Sequence, residues 1–129
     1  GIPLLINGRL MKIILIIILL AFSSISLTYA KSLNPLSNNQ ESINSGKKLY
    51  AIKCSKCHGP KGKGITNGHT KTPSLKKYKR GYTLFIDIIK NGYIRMPAWG
   101  GMGKLNDKQL NEIAAFIESI ANNSSNWIE

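Results

Sequence analysis

The chain has 129 residues, with 18 Lys and Arg against 6 Asp and Glu and a formal net charge of +12. That length accommodates one ordinary domain and excludes two, and so basic a balance points to an acidic partner or surface. Neither a catalytic dyad nor a phosphate-binding glycine loop stands in it, which leaves no basis for an independent enzyme activity.

Residues 1–10, GIPLLINGRL, precede Met11 and read as an upstream extension of the reading frame. Met11-Lys12 opens a wholly apolar run from Ile13 to Phe22, followed by Ser23, Ser24, Ser26 and then Thr28-Tyr29-Ala30. A positive start, a short apolar core and small residues before a cut make residues 1–30 an extension plus secretory signal, with cleavage expected after Ala30. The apolar core is well short of the roughly 20 residues that span a bilayer, which weighs against an uncleaved anchor. Without Arg9 and Lys12, 16 of the 18 basic residues remain against the same 6 acids, a net +10. Part of that charge is attributable to a genome rich in Ile, Lys and Asn. Nucleic acid is excluded as a partner because an exported protein rarely meets it.

Residues 31–43 include KSLNPLSNNQES and read as a flexible N-terminal tail. From about Ile43 to Cys54 the apolar positions Leu49, Tyr50 and Ile52 suit an amphipathic helix that delivers the chain to two cysteines. Residues 59–74 are rich in Gly, Lys and Pro and predict a loop with a tight turn at Asn67-Gly68. A basic knot, KKYKR, follows at 76–80, and Thr83 to Asn91 reads as a helix that stops at Gly92. YIRMPAWGGMG is then an irregular loop. Asn106 and Gln109 form a capping-box pair with a Leu105–Leu110 staple, and Leu110, Ile113, Phe116, Ile117 and Ile120 line one face of the last helix. Residues 122–129 read as a frayed tail. Internal repeats and β-hairpin patterns are missing, so residues 44–121 are expected to form an all-α domain.

The chemistry is concentrated in CSKCHG, residues 54–59. Cys54 and Cys57 as a disulfide would close a very short loop, the mark of a redox site, but the βαβ background of such a site is absent. Structural zinc needs four ligands. The chain offers Cys54, Cys57, His58 and His69, and adjacent Cys57 and His58 would struggle to reach one tetrahedral ion. Haem attachment uses every feature: two thiols three positions apart add to the two vinyl groups of one haem edge, and the next residue presents an imidazole to the iron.

The sequence from Asn44 to Ala121 resembles a small class I c-type cytochrome of the monohaem bacterial type. GKKLYAIKCSKCHGPKGKG is similar to that family's first helix and haem turn, with Gly46 and Tyr50 at helix-crossing positions. TPSL at 72–75 resembles the segment whose proline carbonyl holds the axial histidine, which implies Pro73 for His58. NGYIRMPAWG at 91–100 resembles the axial-methionine loop and implies Met96 as sixth ligand; LNDKQLNEIAAFIESI resembles the C-terminal helix, with Phe116 packing on the first. The resemblance implies a cytochrome c fold of three to four short helices wrapped around one covalently attached haem c.

Chemistry speaks for Met96 independently, since a soft thioether favours Fe(II) and raises the potential. Against it stands an ordinary packing methionine, and Met102 in GGMG is the spare candidate. His69, in a Gly-rich loop, reads as a solvated side chain. Tyr78, Tyr82 and Trp99 fit either the haem and its propionates or plain core packing, and the residues do not separate the two. Lys47, Lys48, Lys53, Lys56, Lys61 and Lys63 flank the haem motif, where positive charge steers encounter more than it adds affinity. The expected function is a periplasmic one-electron carrier, a monomer, meeting acidic redox partners such as an oxidase, a reductase, a bc1-type complex or a dehydrogenase, with transient association at the membrane surface. Two alternatives stand: a gas- or peroxide-binding haem protein with a labile sixth site, and a haem subunit of a larger oxidoreductase, for which exposed apolar Trp127 and Ile128 speak weakly.

Overall fold

The computed structural model describes residues 7–23, 26, 32–101, 104–122 and 127–128. The chain divides into two compact units, Gly1–Ala30 and Lys31–Glu129. In the first, α1 (Gly8–Phe22) is a 15-residue helix with no buried residue. At ~1.5 Å per residue it falls short of the ~30 Å hydrocarbon core, and no helix among the described residues is long and apolar enough to cross a membrane. The cleavage signal expected at Ala30 lies outside the described residues.

The second unit is built on α2 (Gln40–Lys53), α3 (Ser55–His58), α4 (Tyr82–Asn91) and α5 (Asp107–Ile120). The all-α class expected from the pattern is what forms. Helix α2 starts at Gln40, three residues before the apolar period does, because Asn39 accepts the Ser42 N–H at 2.9 Å as a cap. Its buried stripe is Ser42, Gly46 and Tyr50, spaced four apart so that all three face α5. Gly46 sits where α2 and α5 cross: a Cβ there would overlap the Glu112 backbone carbonyl. Tyr50 then tilts onto Phe116 at 5.3 Å between centroids, and its hydroxyl donates to the Gly59 carbonyl at 2.5 Å, tying α2 to the turn that ends the cysteine motif.

Helix α5 carries the capping box read from the sequence. Asn106 accepts the Gln109 N–H at 2.8 Å, and the Gln109 side chain accepts the Asn106 N–H at 3.0 Å. Leu110, Ile113, Ala114, Phe116 and Ile117 are all buried, and full burial of each large apolar side chain contributes about 1.5–3 kcal/mol. We expect Asn106→Ala to cost about 1 kcal/mol, read as a fall of roughly 4–8 °C in thermal midpoint.

Three features depart from the pattern-based reading. Ile65–Asn67 (β1) and Thr70–Thr72 (β2) pair antiparallel as a small hairpin whose two-residue loop is Gly68-His69, one residue beyond the Asn67-Gly68 turn expected. A tight turn was legible to within one residue but its strands were not, because β1 is exposed throughout and offers no apolar alternation. Asn34, in the segment read as a tail, is 3% exposed, and its amide donates to the Asn111 carbonyl at 3.0 Å. Trp127, in the segment read as frayed, is 0% exposed and packs on Phe85 and Tyr78 at 4.9 and 5.4 Å. It is a core residue, so it offers no exposed apolar terminus for docking; Ile128 is partly exposed.

Candidate haem site

The cysteine motif sits at the junction of α2 and α3. Cys54 caps α2 by donating its N–H to the Tyr50 carbonyl, and its own carbonyl accepts from both Cys57 and His58 at 3.2 and 2.9 Å. The chain then turns sharply at Gly59, with φ of 84°. Both cysteines are free, Cys54 buried and Cys57 exposed. Burial, with the Cys57 thiol nearby, pushes the Cys54 thiol up to about 11, so it is a neutral group in an apolar setting.

The Gly-rich loop folds back and returns Pro73 to the histidine. The Gly64 N–H donates to the His58 carbonyl at 2.8 Å, and the Gly62 carbonyl accepts from Leu75 at 2.8 Å. Those clips hold the Pro73 carbonyl 3.2 Å from His58 Nδ1. A carbonyl can only accept, so Nδ1 carries the proton and Nε2 keeps its lone pair. His58 is 8% exposed. Burial lowers its proton affinity, with the Pro73 carbonyl acting the other way. The imidazole is thus held neutral, in one tautomer and one orientation, the form a metal ligand needs.

Met96 closes a tight turn. Tyr93 and Met96 exchange both backbone hydrogen bonds, at 3.1 and 2.9 Å, with Ile94 and Arg95 at the tip. The far flank is sewn to the end of α4: Trp99 N–H donates to the Ile89 carbonyl at 2.8 Å and Gly100 N–H to the Lys90 carbonyl at 3.0 Å. Met96 is half-buried and packs against the core that contains Cys54. Lys53 Nζ lies 5.4 Å from the centre of the Trp99 ring, so the residue before Cys54 meets the residue three beyond Met96. The flanks of the two motifs, 42 positions apart between Cys54 and Met96 in sequence, thus meet in the fold.

Of the other candidates, Tyr78 donates its hydroxyl to the Gly81 carbonyl at 2.8 Å while its ring packs on Phe85 and Trp127. The Tyr82 hydroxyl donates to Asn111 Oδ1. His69 is exposed. Met102 lies outside the described residues. Sequence reasoning missed Gly62 as the hub that positions Pro73, and the pairing of Lys53 with Trp99. A glycine at φ of 70° in so short a loop was a signal only the backbone could reveal.

The residues fit a covalently held haem. Two unpaired thiols stand one helical turn apart, and the following histidine already has one ring nitrogen committed to a carbonyl. Among the described residues, no three of His, Cys, Asp and Glu come together as a metal-ion site, so a multi-ligand zinc site is not assembled. An all-α domain with a Cys-x-x-Cys-His motif at the end of its first helix defines a c-type cytochrome. Residues 41–117 match the family model described as cytochrome c oxidase, cbb3-type, subunit III, and the chain belongs to that family. It is a haem c electron-transfer protein carrying one haem and its iron. No solved structure matches the chain.

Proposed function

We propose that the chain is an exported one-electron carrier whose haem is held by Cys54 and Cys57 through thioethers and ligated by His58 and Met96. The observation that carries this is the 3.2 Å contact between His58 Nδ1 and the Pro73 carbonyl, which leaves a buried, oriented Nε2 as donor. When bound, the haem supplies reversible Fe(III)/Fe(II) chemistry. Pro73 fixes the histidine ring, and the Tyr93–Met96 turn presents the thioether on a short, doubly bonded loop. Half-buried Tyr78 and Trp99 serve as aromatic walls that exclude water. With His58 and Met96 both holding the iron, the chain would keep small molecules from reacting at the metal. We assign export to the apolar α1 and a periplasmic or equivalent setting to residues 31–129, by the logic of a cleaved leader.

The exposed lysines around the motif, among them Lys47, Lys48, Lys53, Lys56, Lys61 and Lys63, would steer the carrier to acidic redox partners. Electron transfer is then expected to slow steeply as ionic strength rises past the ~10 Å screening length of 0.1 M salt. A second reading, a fixed haem subunit of an oxidase, is favoured by the family's description. It is distinguished by a salt-insensitive rate and by co-purification with an oxidase in stoichiometric amount.

The deciding measurement is an absorption spectrum of the mature protein, oxidised, reduced, and reduced under carbon monoxide. A c-type spectrum with the weak far-red band of thioether ligation, unmoved by carbon monoxide, is the expected result. A spectrum shifted by carbon monoxide would replace the carrier with a gas-binding protein. Absence of haem after expression with a working maturation system would refute both.

A further inference from the structure

Among the described residues, the largest fully enclosed side chain is that of Trp127, beyond the end of α5. Its ring completes a cluster of three. It lies 4.9 Å from Phe85 and 5.4 Å from Tyr78, and those two rings are themselves 5.4 Å apart. Rings in edge and tilted contact at such distances attract beyond the area they bury. The indole N–H is buried with no acceptor among the described residues, and an unpaired buried donor is a net cost. What suits a tryptophan to this place is therefore the shape and faces of its ring. The polypeptide alone encloses it, and a haem can only add to that burial.

The two rings that Trp127 touches belong to the two arms behind the proposed axial ligands. Tyr78 closes the 3-10 turn Leu75–Lys77 that follows Pro73: its N–H donates to the Leu75 carbonyl at 3.2 Å, and the Leu75 N–H is clipped to the Gly62 carbonyl. The chain beyond α5 adds a second tie to that turn, with the Asn122 N–H donating to the Lys76 carbonyl at 2.9 Å. Phe85 stands in the first turn of α4, its N–H bonded to the Gly81 carbonyl at 3.2 Å. The far end of the same helix accepts the Trp99 and Gly100 N–H groups that anchor the Met96 loop. We propose that Trp127 is a positioning residue, a wedge that fixes α4 against the Pro73 arm and so limits how often Met96 leaves the iron. A thioether is a weak ligand, and its hold depends on how rarely the loop that carries it swings away. This rests on His58 and Met96 as the axial pair.

The test compares the mature haem protein with Trp127→Ala and Trp127→Phe, and with Gly46→Ala as a variant loosened at the α2–α5 crossing instead. Imidazole, added to the oxidised protein at fixed pH, competes with Met96 for the iron, and its apparent Kd reports the fraction of molecules with the methionine released. Trp127→Ala should lower that Kd about tenfold, the weakening expected for two lost ring contacts, at a temperature where the circular dichroism is still native. In the same variant the amides of Trp99 and Gly100 should exchange with deuterium faster. Trp127→Phe keeps a ring in the cluster and should stay close to wild type in both readouts. Gly46→Ala should lower the thermal midpoint and leave both unchanged. Trp127→Leu, which fills part of the space without a ring, takes the place of the alanine variant if that one does not fold. A Trp127→Ala protein with a lower thermal midpoint but unaltered imidazole binding and exchange would overturn the proposal, because Trp127 would then be core packing alone. So would a Trp127→Phe protein as impaired as Trp127→Ala, because the indole N–H would then be serving an acceptor such as a haem carboxylate. A wild-type protein without the far-red thioether band would instead refute Met96 as ligand, and the exchange at Trp99 and Gly100 would still decide whether Trp127 fixes α4.

Discussion

Met96→Ala is expected to turn a haem that ignores carbon monoxide into one that binds it, with loss of the far-red band and a fall in potential. Axial ligands span ~0.8 V of haem potential, and loss of a thioether that favours Fe(II) should lower it by on the order of a tenth of a volt. The fold should survive. The backbone of this loop is anchored by the Tyr93–Met96 pair and by the bonds of Trp99 and Gly100 to the end of α4, none of which uses the methionine side chain. The side chain is only half-buried, so its truncation removes less packing than the roughly 2–5 kcal/mol of a core Met→Ala change. The measurements are a carbon monoxide titration of the reduced variant and a potentiometric titration. An unaltered spectrum and potential would show that Met96 is a packing residue and return attention to Met102.

Gly46 should be among the most sensitive positions outside the motif. Gly46→Ala has one gain, about 0.5–1 kcal/mol from replacing glycine inside a helix. Against it stands a Cβ that would overlap the Glu112 carbonyl, and a backbone atom cannot rotate away as a side chain can. The helices must separate, and overpacking of that kind costs about 1–3 kcal/mol or more. The steric term wins, so we expect a net loss of about 2 kcal/mol for Ala, read by thermal unfolding of the haem protein. Gly46→Leu should cost a larger share of a total stability of about 5–15 kcal/mol and sharply reduce the yield of mature haem protein. A Gly46→Ala protein more stable than wild type would mean that α2 and α5 have room to spare, contrary to the crossing described.

What could be read from the sequence divides by range. The capping box of α5 and its apolar face are local, and both formed as expected because each depends on residues within one helix. The motif from Cys54 to His58 is local too, and the haem c that its spacing points to agrees with the family match. Contacts made across the chain were not. Nothing local distinguishes Asn34 from its polar neighbours, yet its amide reaches Asn111, 77 positions away. Trp127 sits in a polar stretch with no helical period, and its burial depends on the ring faces that Tyr78 and Phe85 happen to offer. The hairpin at Ile65–Thr72 escaped notice because exposed strands carry no alternation. The placement of Pro73 was available only through the family resemblance, and the hydrogen bonds of Gly62 and Gly64 now supply its physical cause.

The anchoring of the Met96 turn has a consequence for speed. Electron transfer is slowed by any rearrangement that a change of charge imposes on the atoms around the metal. Here the proposed histidine is locked by a carbonyl on one side, and the proposed thioether rides on a turn closed at its base and sewn to α4 beyond. If both side chains hold the iron as proposed, the polypeptide would resist a change in their positions between the ferric and ferrous states. A small reorganisation energy would follow, and it should appear as rapid self-exchange between oxidised and reduced copies of the protein.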